Sequence, residues 1–563
     1  MTEPSANATP ARSRHFNQPW TWWFMVAVLV LIAMVRLDLM NFPLERDEGE
    51  YAYAGQLMLQ GIPPYELAYN MKFPGTYAAY ALIMALFGET PGGIHAGVMC
   101  VTTLTALMLF WLGKRILNPS AGMVAATCYA VLATNSNMFG LAGHATHFAA
   151  VFATAGLCLL WRARDNSSWL AAGTAGVMFG TAVLMKQHAV MIGLWAMLAW
   201  TAWYFRKTEI SPVRRLSAVA ALGAGMILPF GLCCLILWHA GVLGRFWFWT
   251  IDYARAYVSV IPLSMAGRAL WWTLSTITAE DYLLWAFVAA GIILIWFEPR
   301  LRPARHWIFG FATAGALTTA PGLYFRTHYF LLALPAAALL AACAVDALVR
   351  LWNQHVRNPR LQNWPVPALY VLMLALTLVQ NRELWSNLAR AQGKSALAAH
   401  IFCGTEPFPE AEEVSRVLRA SSNPDARIAV IGSEPEIYFL SRRHSATGYI
   451  YTYPLMEPQP FAHRMQVEMI SEIETNAPEF IVFARVDSSW LQSSKSDRSI
   501  FTWWDAYRTN YVIVGIADII WPRVTKYAWG KSAARYGKLE GVGLEIYQRA
   551  TPSPFTTNTP AMK

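Results

Sequence analysis

The stretch TWWFMVAVLVLIAMVRLDLMNFPLERDEGEYAY, residues 21–53, decides how the chain is read. Residues 21–35 form an apolar run of membrane-spanning length. ERDEGEYAY, residues 45–53, then packs Glu45, Arg46, Asp47, Glu48 and Glu50 together. Burying an apolar run in lipid is favourable, whereas carboxylates beside lipid are costly. A cluster of them so close to a spanning helix needs a reason.

Composition carries the membrane reading through the chain. Its 563 residues are 56% hydrophobic and only 14% charged, and the mean hydropathy is +0.33. A soluble globular chain is about a quarter charged. The 25 Trp fit a protein with many helix ends at lipid interfaces. The net charge of +10 comes mostly from Lys and Arg in short loops between apolar runs, so it reads as topology rather than nucleic-acid binding. The seven Cys include no CxxC pair, and six lie in apolar runs, with Cys403 beyond the last. Neither a zinc ribbon nor a disulfide framework is supported. Arg12 and Arg14 precede the first span and no small-residue cleavage site follows it, so that span is expected to be a retained helix.

A span needs about 20 apolar residues, and about eleven candidates occur, centred near residues 29, 102, 129, 153, 178, 196, 226, 290, 314, 338 and 373. TYAAYALIMALFG, residues 76–88, is shorter and reads as an interfacial or re-entrant helix. With the N-terminus in the cytoplasm, the inner loops hold Lys114 and Arg115, Arg162 and Arg164, Arg206, Lys207, Arg214 and Arg215, Arg300, Arg302 and Arg305, and Arg350, Arg357 and Arg360. The outer loops hold fewer cations. That asymmetry obeys the positive-inside rule and puts ERDEGEYAY outside. An odd number of spans puts the C-terminal region outside too.

Past residue 382 the pattern changes. RIAVIG (427–432), PEFIVFAR (478–485), NYVIVGI (510–516) and GLEIYQR (543–549) read as strands, and EPEIYFLSRR (434–443) as a helix. That alternation predicts a small α/β domain. Neither GxGxxG nor GxxxxGK[ST] occurs in it, so neither nucleotide fingerprint applies.

The first outer loop continues as RDEGEYAYAGQLMLQGIPPYELAYNMKFPGTYAAYALIMALFG, residues 46–88. An acidic pair opens an amphipathic helix; a Gly-Pro-Pro turn, a lysine in MKFPG and an apolar helix follow. This resembles the GT-C glycosyltransferases that use polyprenyl-phosphate sugars. It is especially similar to the group of the aminoarabinose transferase of lipid A, the protein O-mannosyltransferases and the rhizobial galacturonosyltransferases. LMKQHAV (184–190), RTHYFLLALPAAALLAA (326–342), GSEPEIYFLSRR (432–443) and PEFIVF (478–483) agree in order.

The resemblance implies a polytopic α-helical membrane protein of GT-C type with a small C-terminal α/β domain outside the membrane. The expected divisions are a cytoplasmic tail at 1–19, a multi-span domain at 20–382 with its catalytic outer loop at 38–90, a periplasmic domain at 383–550 and a disordered tail at 551–563. It implies transfer of one sugar from a polyprenyl-phosphate carrier to an envelope lipid, glycan or protein, at the outer face of a bacterial inner membrane. A transporter or flippase of lipid-linked intermediates is the alternative. Charges lie mostly at span ends, and acid is concentrated in one outer loop; both favour chemistry over a conduction path.

By resemblance Asp47 is the catalytic carboxylate, as general base or as the group that orients the acceptor, with Glu48 next. Lys72 matches the family's first-loop lysine, either at the donor phosphate or as a tie to the catalytic loop; interfacial snorkelling is the plain alternative. Arg326, Arg255 and Lys186 are further candidates for the phosphate, since cations should face a leaving group that gains charge. Relatives carry a second acid in the loop that here reads NMFGLAGHATHFAAVF (137–152), where His144 and His147 stand instead. Residues at i and i+3 share a helical face, so this pair, with Asp47 or Glu48, is a candidate site for a divalent metal ion. RFWFW (245–249) is a candidate lining for the polyprenyl chain or an interface belt.

Overall fold

The computed structural model describes residues 19–166, 168–258, 261–358, 361–382, 386, 406–520 and 524–550. Arg360, Cys403, both expected terminal tails and most of the expected domain junction at 383–405 lie outside the described residues.

The chain opens with α1 (Pro19–Asp38), α2 (Arg46–Leu59) and the short apolar α3 (Gly75–Phe87). Next come α4 (Pro91–Ile116), α5 (Pro119–Leu132), α6 (Ala145–Asn166), α7 (Trp169–Met185), α8 (Val190–Phe205) and α9 (Pro212–His239). α10 (Leu243–Trp247) and α11 (Ala254–Val258) flank a π-helical turn at Phe248–Tyr253. The helical part ends with α12 (Leu263–Thr278), α13 (Tyr282–Phe297), α14 (Arg305–Leu317), α15 (Leu334–His355) and α16 (Pro365–Gln380). Every apolar centre read from the sequence falls inside one of these helices.

Among the described residues, six helices are long and apolar enough to cross a membrane, or up to seven if α12 and α13, bent by 119°, form one span. α3, α5, α7 and α16 are apolar but only 13, 14, 17 and 16 residues long. At about 1.5 Å per residue they stop short of the roughly 30 Å hydrocarbon core. Length alone therefore supports fewer crossings than the eleven expected. Small residues set close helix contacts: a Cβ on Gly176 of α7 would strike the Leu222 carbonyl, and one on Gly225 of α9 the Gly173 carbonyl. Small residues at such crossings let backbones approach, the usual device where hydrophobicity gives no drive between helices.

The C-terminal part is a mixed six-stranded sheet. Its strands are β1 (Arg427–Ile431), β2 (His444–Ser445), β3 (Phe480–Arg485), β4 (Tyr511–Ile520), β5 (Val524–Trp529) and β6 (Val542–Arg549), in the order β2-β1-β3-β6-β4-β5. β1 runs parallel to β2 and β3, and β6 antiparallel to β3 and β4. The four expected strands are β1, β3, β4 and β6; β2 and β5 are additional. β5 has no continuous apolar run, and only Ala528 in it is buried.

This sheet domain seats on α2 and on the turn after it. Arg46 pairs with Glu406 at 2.7 Å and donates to the Ser433 carbonyl at 2.5 Å. Tyr53 stacks on Tyr438 with ring centroids 5.1 Å apart, and its hydroxyl oxygen accepts from Ser445 N at 2.7 Å. A Cβ on Gly49 would lie 2.6 Å from the Glu436 backbone nitrogen. The Tyr69 amide donates to Gly448 O at 2.6 Å. α2 is thus covered on both sides, by helices and by the sheet domain.

Candidate active site

The acidic cluster begins as a helix start. Glu45 is the N-cap of α2 and accepts from Glu48 N at 2.9 Å, while Glu48 accepts from Glu45 N at 3.2 Å. This reciprocal capping box places acids where the helix dipole favours them. Glu48 also accepts from Gly143 N at 2.5 Å and faces His95 Nε2 at 3.1 Å. Its carboxylate is 1% exposed and spent on the fold. Burial pushes the Glu45 carboxyl up to about 7.

Asp47 points the other way. Lys72 Nζ lies 2.8 Å from Asp47 Oδ1 and 2.6 Å from Glu50 Oε2. Tyr77 donates to the other Glu50 oxygen at 2.6 Å. Burial would raise the Asp47 carboxyl, but Lys72 and His144 outweigh it and hold the group well below the ordinary carboxylate range. Glu50 is fully buried, and its carboxyl is raised by burial despite Lys72. Lys72 thus clasps both carboxylates of α2, and it also lines the cavity beside them.

A cavity of ≈ 440 Å³ opens on Asp47. The helical part contributes Lys72, Lys186 and Arg326, and the sheet domain Tyr451, Tyr453 and Glu457. Lys186 is buried with its Nζ 5.0 Å from the centre of the Tyr329 ring. Burial and the nearby Lys72 lower it to about 8. Arg326 reaches the Tyr257 hydroxyl at 3.4 Å. Among the described residues neither Lys186 nor Arg326 has a carboxylate within ion-pair distance. Arg255, by contrast, is exposed and off the cavity wall, because α11 turns Tyr257 inward in its place. The RFWFW segment is also off the wall: Phe246 and Trp249 are packed in the interior, and the wall begins at Thr250. Glu48 does not reach this cavity either.

The histidines divide differently from their spacing. His144 precedes α6, which starts at Ala145, so the shared-face argument fails for His144 and His147. His147 is buried in α6 against Arg36 and Gly140. His144 Nδ1 lies 3.6 Å from Asp47 Oδ2, and its ring stacks on His328 with centroids 4.5 Å apart. One ligand atom each from Asp47, His144 and His328 lies within 4.8 Å of the others. Both His144 nitrogens are buried without a hydrogen-bond partner. Open imidazole nitrogens beside a carboxylate fit a divalent ion of the zinc type.

Sequence reasoning passed over Glu50, Tyr451 and Glu457. Glu50 sits three residues after Asp47 on one helix, a spacing that puts both on one face. Tyr451 and Glu457 arrive through a domain docking that no local pattern announces.

Residues 72–239 match the family model described as dolichyl-phosphate-mannose-protein mannosyltransferase. The undecaprenyl phosphate-alpha-4-amino-4-deoxy-L-arabinose arabinosyl transferase of Edwardsiella ictaluri is 28% identical over 247 residues, 41% of this chain and 43% of the relative. The transferase of the same name from Pseudomonas aeruginosa is 26% identical over 271 residues, 46% of this chain and 47% of the relative. The chain thus matches under half the length of either. The crystal structure of ArnT from Cupriavidus metallidurans bound to undecaprenyl phosphate has a similar fold, with a TM-score of 0.59 and 14% identity over 95% of this chain and 98% of that one. The apo structure of the same protein gives 0.56 over 94% and 97%. In matched sequence the chain thus resembles these polyprenyl-phosphate-dependent transferases over part of its length, and in fold it resembles ArnT over nearly all of it.

Proposed function

We propose that the protein is a glycosyltransferase that moves one sugar from a polyprenyl-phosphate carrier to an envelope acceptor. The observation that carries this is the cavity itself, whose wall Asp47 shares with two cations, Lys186 and Arg326, that have no carboxylate partner among the described residues. Undecaprenyl phosphate is the carrier class suggested by the names of the similar proteins. The acceptor is a lipid, a glycan or a protein, reached at the outer face of a bacterial inner membrane, with the sheet domain periplasmic.

In the transfer an acceptor oxygen or nitrogen attacks the anomeric carbon. The bond from that carbon to the phosphate oxygen breaks, and the electron pair leaves with the phosphate. Inversion by a single displacement follows. Arg326 and Lys186 stabilise the charge that grows on the phosphate. Asp47 orients the acceptor and receives its proton. The clasp of Lys72 weakens Asp47 as a base, so the proton moves late, once the new bond has made the acceptor acidic. Asp47, His144 and His328 are the residues that would hold a divalent ion, which would supply Lewis acidity toward the phosphate.

Purified protein is offered a panel of polyprenyl-phosphate sugars with candidate acceptors, with and without EDTA, and mass spectrometry follows donor and product. Sugar-dependent turnover by wild type and none by Asp47→Asn supports the reading. Equal turnover by both would sink the role of Asp47, and transbilayer movement of donor without turnover would favour a transporter.

A further inference from the structure

A second cavity, of ≈ 350 Å³, lies far from Asp47. α15 starts just after His328 and is 22 residues long, about 33 Å at 1.5 Å per residue. The cavity is built on its far half, at the opposite end of the bundle from the carboxylate loop. Four other segments close it: the start of α5, the turn between α13 and α14, the approach to α16 and its first turn.

The wall is polar and carries both signs of charge. Arg300 is exposed, and its guanidinium has no partner among the described residues. Arg350 pairs with Glu298, yet its Nε–H is buried without an acceptor. One turn before Arg350 on α15, Asp346 accepts from Asn118 Nδ2 at 2.5 Å through one oxygen. Asn353 and Gln354 add amides. Open Arg N–H groups suit a phosphate. A nearby carboxylate with a free oxygen suits an ammonium. A purely anionic head group would meet Asp346 at a cost, and a purely cationic one would meet both arginines.

We propose that this cavity is a binding site for a phosphate group that also carries a primary amine, the chemistry of a phosphoethanolamine head group. Arg300 and Arg350 hold the phosphate, and Asp346 holds the ammonium. Polar pockets between helices at a membrane face are where lipid head groups are recognised. The site is independent of the transfer chemistry and separate from its cavity.

The test uses delipidated full-length protein in detergent, with thermal unfolding and native mass spectrometry as readouts. The probes are phosphatidylethanolamine, phosphatidylglycerol and soluble phosphoethanolamine. Wild type should bind phosphatidylethanolamine in preference to phosphatidylglycerol. Arg300→Gln should weaken that binding about tenfold, on the order of one charge-assisted hydrogen bond. The Arg300 side chain has no hydrogen-bond or ion-pair partner among the described residues, so this variant should keep its structure, and Arg302→Gln, off the cavity wall, serves as the neutral control. Asp346→Asn should remove the preference for the amine. Protection by soluble phosphoethanolamine at the same concentration would assign the site to the free head group; protection by the lipid alone would assign it to the membrane. Equal binding of both lipids by wild type, or binding unchanged in Arg300→Gln, would overturn the proposal.

Discussion

The hydroxyl of Tyr451 lies 3.2 Å from Asp47 Oδ1 and 3.0 Å from the Arg46 carbonyl, so the sheet domain shares in aiming this carboxylate at the start of α2. Lys72 holds the same oxygen from the other side. Tyr451→Phe should lower kcat about tenfold, the scale of one lost hydrogen bond to a charged group, with little change in donor KM. Steady-state kinetics would separate the two. A change confined to KM would mean that Tyr451 contacts donor and does not position Asp47.

Asp47→Asn should reduce transfer by at least about a thousandfold, the upper range for a lost acid–base group. Lys72 keeps Glu50 as its partner, so thermal unfolding should move by only a few degrees. An inactive variant that also fails to fold would call for Asp47→Ser as a second probe.

Lys72→Met leaves Glu50 buried with only Tyr77. Breaking a buried pair on one side costs about 3 kcal/mol or more. The double variant Lys72→Met/Glu50→Gln should recover most of that stability, because the fully buried Glu50 charge is gone and the Asp47 carboxylate left without its lysine is partly exposed, while activity stays low. Denaturation in detergent reports the first, turnover the second.

Lys186 gives a pH dependence. Burial and Lys72 lower it to about 8, so its positive charge is present below that pH and lost above it. A group needed as a cation supports donor binding only while protonated. kcat/KM should therefore fall as pH rises past about 8. Lys186→Arg should push that limb beyond the measurable range, because arginine stays charged.

The histidines give a composition test. Zinc binding measured by calorimetry should weaken in His144→Ala and His328→Ala and persist in His147→Ala, whose ring lies against Arg36 and Gly140. The reverse order would restore the pair suggested by sequence spacing.

Apolar length located most helices of the bundle but not α10, α11 or α12, and apolar runs located β1, β3, β4 and β6, because burial in lipid or in a sheet leaves a local trace. The direction in which a side chain faces leaves a weaker one. Asp47 and Glu48 are adjacent, yet one faces the cavity and the other Gly143, since neighbours on a helix point about 100° apart. Arg255 and Arg326 read alike as outer-face arginines, but only Arg326 reaches the wall. Tyr451 became visible only when the sheet domain was seated on α2.

That seating sets an order in time. Asp47 and Tyr451 are 404 residues apart in the chain. At roughly 5–20 residues per second, the hydroxyl that completes the site is synthesised about 20–80 s after the carboxylate. A nascent chain whose bundle has already entered the bilayer therefore holds Asp47 without its Tyr451 contact. Under the proposed function, a product truncated before the sheet domain should be inserted and inert.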